Sequence, residues 1–201
     1  IIITGGAYRT SIINSVKFNN SQNNTLFSDT GKTEITIPSS FLVINDAVNC
    51  IVNVTNHTKL FELTGGANID INAPGVKFHS LKINYNGSST EKFNLSNTNL
   101  SDEILSSEFN GMLNGAKYSF QIININSLNI SATKVTKLST EIFNISELII
   151  NDLTNFDLMN EESNARPTLK SLRASNTTFI SNTLDLSTFE KLKTLSLKNT
   201  K

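Results

Sequence analysis

The chain has 201 residues, with 17 basic and 17 acidic side chains, 38% hydrophobic residues and no tryptophan. Zero net charge, with Lys and Arg scattered singly, leaves no basic stripe to collect phosphates and argues against a nucleic-acid partner. No run approaches the roughly 18 apolar residues of a membrane span, and plentiful Ile, Leu, Val and Phe exclude a disordered chain.

Asn, Ser and Thr carry the polar load, a composition suited to neutral, hydrogen-bonding surfaces and to ladders of stacked side chains. Cys50 is the one cysteine, so no internal disulfide forms. In the run Cys50-Ile51-Val52 it reads as a small core residue. The opening Ile1-Ile2-Ile3 and the closing Lys201, directly after a repeat threonine, read as ends cut within a repeat, as in a piece of a longer solenoid.

In residues 1–90, short β-branched or alternating runs are separated by turn-forming Gly, Asn, Asp and Pro. The candidate strands are 12–18, 34–37, 41–44, 51–54, 60–63, 69–71 and 81–83. Thr4-Gly5-Gly6-Ala7 with Val16-Lys17-Phe18 returns 60 residues later as Thr64-Gly65-Gly66-Ala67 with Val76-Lys77-Phe78. That separation predicts three coils of about twenty residues, with the paired glycines at a positive-φ corner. On this strand–turn rhythm and its TGGA corners, residues 1–90 resemble right-handed parallel β-helix domains of surface and virion proteins.

From Phe93 a second pattern takes over, two alternating apolar residues followed by a threonine. It runs through Phe93–Leu100, Leu128–Val135, Leu148–Phe156, Leu172–Phe179 and Leu195–Thr200. The threonines at 98, 133, 154, 177 and 200 are 35, 21, 23 and 23 residues apart. The longest gap predicts an insertion at about 102–120, and the 148–156 copy reads as one residue longer before its Thr. The strand residues alternate, so Leu172 and Ala174, or Leu195 and Leu197, are expected to point inward. Each threonine is expected to bond the backbone of the adjoining coil. Leu138, Ile142, Leu158, Leu184, Leu186, Phe189 and Leu192 supply a second apolar set on the return. DEILSSEF, with Asp102 as N-cap, is the best helix in the chain, and Glu190-Lys191 suggests a turn of helix or 3₁₀. This half resembles leucine-rich repeat proteins over about 110 residues, with Thr at the place where that family carries Asn or Cys. The resemblance implies architecture and names no ligand.

Chemistry-bearing residues are few. His57 and His79 are 22 residues apart, about one coil, and would stack on one face as an acid/base or metal pair. No H-x-x-x-H or C-x-x-C spacing calls for a structural zinc, and no cofactor motif is present. A polysaccharide lyase or hydrolase needs carboxylates converging on one β face, for which Asp46, Glu62 and Asp70 are the candidates. Asp70, between Ile69 and Ile71, points outward. Tyr8, Tyr85 and Tyr118 offer aromatic contacts for sugar or protein, and Tyr85 between Asn84 and Asn86 leads that set. Sequons at Asn19, Asn23, Asn53, Asn56, Asn86, Asn94, Asn99, Asn129, Asn144 and Asn176 follow from the Asn/Ser/Thr bias.

The expected molecule is mainly β: a right-handed solenoid with parallel β-helix-like coils over residues 1–90 and leucine-rich-repeat coils over 91–201. The expected function is non-enzymatic recognition or scaffolding by an extracellular, cell-surface or virion protein. Its partner would be protein or a surface glycan, with no nucleic acid, no membrane insertion and no cofactor. The polysaccharide-degrading enzyme and a structural spacer in a larger or homo-oligomeric assembly are the alternatives.

Overall fold

The computed structural model describes residues 16–18, 33–37, 41–45, 48–55, 58–105, 112–113, 116–139, 142–160 and 163–201. Short runs of alternating β-branched and apolar residues cannot bury a face alone, and in this chain they stack as a parallel β-solenoid of about six turns. The content is 44% strand and 4% helix.

The first six coils each lay one strand into each of two parallel sheets, and the last two add a strand to the second sheet alone. Sheet A takes β1 (Val16–Phe18), β3 (Phe41–Asn45), β5 (Thr58–Thr64), β7 (Phe78–Asn86), β10 (Ala116–Ile123) and β12 (Ile142–Phe143), with β9 (Met112–Leu113) antiparallel to β10. Sheet B takes β2 (Thr33–Ile37), β4 (Val48–Val54), β6 (Ala67–Asn72), β8 (Lys92–Asn94), β11 (Ser127–Asn129), β13 (Glu147–Ile149), β14 (Ser171–Ser175) and β15 (Thr194–Lys198). A third side is made of turns, joined by the single bridges Ser101–Lys134, Lys137–Asp157 and Phe156–Phe179.

The expected strands of the first half are present among the described residues, with 12–15 of the first lying outside them. Sheet B also crosses residue 90 in unbroken register. One inward column runs Val52, Ile71, Phe93, Leu128, Leu148, Leu172 and Leu195. Sheet A contributes Phe61, Leu63, Leu81, Ile83, Tyr85, Ile122 and Ile142 to the same core, and Cys50 lies in it as expected.

Several expectations are corrected. Val16 falls in register, through Leu42 and Phe61, with Leu81 and not with Val76. The TGGA/VKF match therefore gives the right separation of three coils but the wrong register. Gly65 and Gly66 do take positive φ, at 65° and 88°; the earlier TGGA lies outside the described residues. The stretch 116–120, read as insertion, belongs to β10, which pairs with β9 at 116–117 and with β7 from Tyr118 onward. The expected helix is a single turn, α1 (Asp102–Leu105), and 106–110 lies outside the described residues. Asp102 bonds the next coil, accepting the Thr136 N–H at 2.7 Å and its hydroxyl at 2.5 Å.

The threonine position also differs in detail. The corner residue before it is left-handed in every coil: Asn97, Ala132, Asp152, Asn176 and Asn199 have φ of 53–56°. In that frame Leu153 takes the slot of Thr98, Thr133 and Thr177, and Thr154 is exposed, so this coil holds no extra residue. Thr98 and Thr133 donate to carbonyls of their own coil, Leu95 and Ile130, at 2.8 and 2.7 Å. Thr177 alone reaches the adjoining coil, donating to the Ile150 carbonyl. On the return side, Leu138, Ile142, Leu158 and Phe189 are buried, and Leu184, Leu186 and Leu192 pack against them. A 3₁₀ turn occurs at Arg166–Thr168, and 190–191 is a plain turn.

Leu172 is fully buried, whereas Leu195 and Leu197 are 42% and 40% exposed because β15 is paired on one side only. Leu172→Ala is therefore expected to cost about 2–5 kcal/mol, and Leu195→Ala about 1 kcal/mol or less. Urea unfolding followed by far-UV circular dichroism measures both; equal losses would contradict this stacking.

Candidate functional site

The outer face of sheet B runs across eight strands. Outward positions alternate with the buried column, and stacking sets successive side chains about 4.8 Å apart along the axis. One outer row runs Lys92, Ser127, Glu147, Ser171 and Thr194, with Asp70 just before Lys92. Beside it run Asn53, Asn72, Asn94 and Asn129, then Ile149, Arg173 and Ser196.

The asparagines form a ladder. Each side-chain amide N–H donates to the carbonyl oxygen of the one before: Asn72 to Asn53 at 2.9 Å, Asn94 to Asn72 at 3.0 Å, Asn129 to Asn94 at 3.2 Å. Two shorter ladders line the corners, Asn144–Asn124–Asn86 at 2.9 and 2.7 Å, and Asn199–Asn176–Asp152 at 3.2 and 3.0 Å. Further along the face, Glu147 accepts from the Ser127 hydroxyl at 2.9 Å and pairs with Arg173 Nε at 2.9 Å. These contacts hold the face in one arrangement.

The predicted site residues disperse. Asp70 does point outward, and its carboxylate accepts the Lys92 backbone N–H at 2.7 Å. Glu62 lies on sheet A, paired with Lys82 at 3.0 Å, so it does not converge with Asp70. His79 is exposed on β7. His57, Asp46 and Tyr8 lie outside the described residues, and of Tyr118 only its strand and its register with Leu81 are described. No group of three or more His, Cys, Asp or Glu suited to a metal ion occurs among the described residues.

Tyr85 corrects the expectation of an exposed aromatic. It is 1% exposed, its ring 5.4 Å from Phe93. Its hydroxyl accepts the Ile69 N–H at 3.1 Å and donates to Glu91 at 3.3 Å. Burial pushes its pKa up strongly and the Glu91 charge adds to this, against the smaller opposing effect of the Ile69 bond.

Glu91 is the group that sequence reasoning missed. It is a fully buried carboxylate in the short connection between β7 and β8. Ser88 donates its N–H to both oxygens at 2.9 and 3.0 Å and its hydroxyl at 2.9 Å. Thr90 N–H donates at 2.9 Å, and Asn68 N–H, from the preceding coil, at 3.2 Å. The Glu91 backbone carbonyl accepts from Asn126 and Ser127 of the following coil at 2.9 and 3.1 Å. One residue thus ties three coils together. A Cβ at Gly87 would lie 2.7 Å from both the Asn124 carbonyl and the Glu91 carboxylate, so only glycine leaves room for this clasp. The run Gly87-Ser88-Ser89-Thr90-Glu91 signals a turn, but nothing in it signals that the Glu side chain folds back inward.

A small hollow lies between the last coils, among Leu138, Leu148, Phe156, Leu169 and Phe189. At about 10 Å³ it has room for about one water. No protein-family model, curated protein or solved structure matches the chain.

Burial raises the pKa of Glu91, but the donors from Ser88, its own backbone and Thr90 outweigh it, so the net shift is downward from 4.5. A lowered folded-state pKa means that the carboxylate stabilises the fold above its unfolded value and loses that contribution as pH falls below about 4.5. Glu91→Gln is expected to lower stability at pH 7 by about 1–3 kcal/mol, the usual cost of unmaking hydrogen bonds to a buried charged group. The gap to the wild type should narrow as the pH of urea unfolding is taken down to 3. A gap that is constant with pH would refute the role of the charge.

Proposed function

We propose that the chain is a non-enzymatic recognition or scaffolding module of a surface-displayed protein, of the adhesin-like or virion fibre or tail kind, and that it binds protein or glycan along the outer face of sheet B. The observation that carries this reading is the ladder-braced face itself. Its amides and hydroxyls are held at coil spacing before any ligand arrives, which lowers the entropic cost of binding. An extracellular, cell-surface or virion location is part of the same proposal, as is assembly into a larger or homo-oligomeric structure.

Kinship of residues 93–201 with leucine-rich repeats is likewise proposed. It is supported by the paired apolar residues of β8, β11, β13, β14 and β15 standing in one register, each followed by the same left-handed corner. Asparagine is at that corner in three of the five coils, one place before the threonine that led the sequence comparison.

The test is incubation of the whole chain with a panel of cell-surface polysaccharides and intact cells, scoring retention and new reducing ends together. Retention with no new reducing ends, unchanged in Asp70→Asn, is the expected outcome. New reducing ends that disappear in Asp70→Asn would replace this reading with a polysaccharide-degrading enzyme. Absence of retention would leave a structural spacer.

A further inference from the structure

The zero net charge conceals a segregation. Residues 163–201 hold seven basic and two acidic side chains, while the remainder holds ten and fifteen. Scattered in sequence, several of these cations are gathered on the last two coils, before and along β14 and β15. Lys170 and Lys193 occupy the same corner of successive coils, with the Lys193 N–H donating to the Lys170 carbonyl at 2.9 Å, and both are exposed. Arg173 and Lys198 project from β14 and β15 on the same side, and both are exposed.

Acidic groups cancel only the Arg173 part of this charge. Glu147 is already held by Arg173 and by the Ser127 and Ser171 hydroxyls. Asp152 accepts from Asn176 in the corner ladder. Asp185 and Glu190 lie on the return segment, outside sheet B. Among the described residues, Lys170, Lys193 and Lys198 make no ion pair. Like charges facing each other on neighbouring strands oppose folding, and a bound polyanion relieves that repulsion.

We propose that this end of the outer face takes an acidic polysaccharide bearing carboxylate or sulfate groups on successive sugars. The inference rests on the recognition reading above and narrows its ligand. Coil spacing of about 4.8 Å is on the scale of one sugar unit, so charges on neighbouring sugars meet lysines on neighbouring coils. Between the cations stand Ser171, Ser175, Thr194 and Ser196, outward on the same strands, as partners for sugar hydroxyls. Nucleic acid fits less well. The exposed large apolar residues here are Ile180, Leu195 and Leu197, which give no aromatic platform for unpaired bases.

The experiment compares the wild-type chain with the triple variant Lys170→Gln, Lys193→Gln and Lys198→Gln. The probes are polygalacturonate, dextran sulfate, neutral dextran and duplex DNA. Binding of the acidic polymers is expected in about 50 mM salt, at least about tenfold weaker in about 200 mM. The variant should bind about tenfold more weakly still, with a thermal unfolding midpoint no lower than that of the wild type. Equal binding by the variant, or tighter binding of duplex DNA than of either acidic glycan, would overturn the proposal. Retention on neutral glycans or cells, with both acidic polymers washing through, would sink this inference and leave the recognition reading standing. Failure to bind any polysaccharide or cell would remove both.

Discussion

Parallel coil-on-coil hydrogen bonding along the axis is the constraint from which the rest of the molecule follows. A strand in a parallel sheet satisfies its N–H and C=O groups only through the strands on either side. Every coil must therefore repeat the phase of its neighbours, or a buried backbone group goes unpaired. That requirement explains why the column from Val52 to Leu195 is continuous although the residues in it change from Val and Ile to Phe and Leu. A change of residue type is tolerated, whereas a change of phase turns an apolar side chain outward.

The same constraint gives asparagine its place. A chain that turns between flat sides at every coil needs repeated left-handed corners, and asparagine takes that conformation at lower cost than most residues. Asn97, Asn124, Asn144, Asn176 and Asn199 all do so. Because the coils are stacked, side chains at equivalent corners also meet, and amides are self-complementary, donating on one side and accepting on the other. An Asn-rich composition is thus a structural requirement of the corners before it is a property of the surface. Glu91 meets a similar need by other means, its carboxylate gathering the N–H groups of Ser88 and Thr90, while Gly87 and Ser89 donate to carbonyls of the following coil.

The solenoid was legible because apolar alternation and turn residues recur at coil length, and stacking leaves that pattern in the chain. Register was less legible. TGGA and VKF recur at a convincing interval, yet Val16 aligns with Leu81, because the coil lengths between them differ. The threonine pattern failed at 153–154 for a related reason: the slot is defined by the left-handed residue before it, and Asp152 marks it where the letter Thr does not. Tyr85 read as a contact residue from its polar neighbours, but parity on β7 sends Asn84 and Asn86 out and Tyr85 in. The inward fold of Glu91 left no periodic trace, since it occurs once.

Between equivalent strand positions Phe93, Leu128, Leu148, Leu172 and Leu195 the chain spends 35, 20, 24 and 23 residues, yet sheet B keeps one spacing throughout. The longest of these excursions carries α1 and β9, away from sheet B. Length is therefore a free variable on one flank of the rod and a fixed one on the other. A lineage of such chains can gain or lose whole loops on the variable flank while the opposite face keeps its ruler, so partners that read the ruled face need not follow those changes.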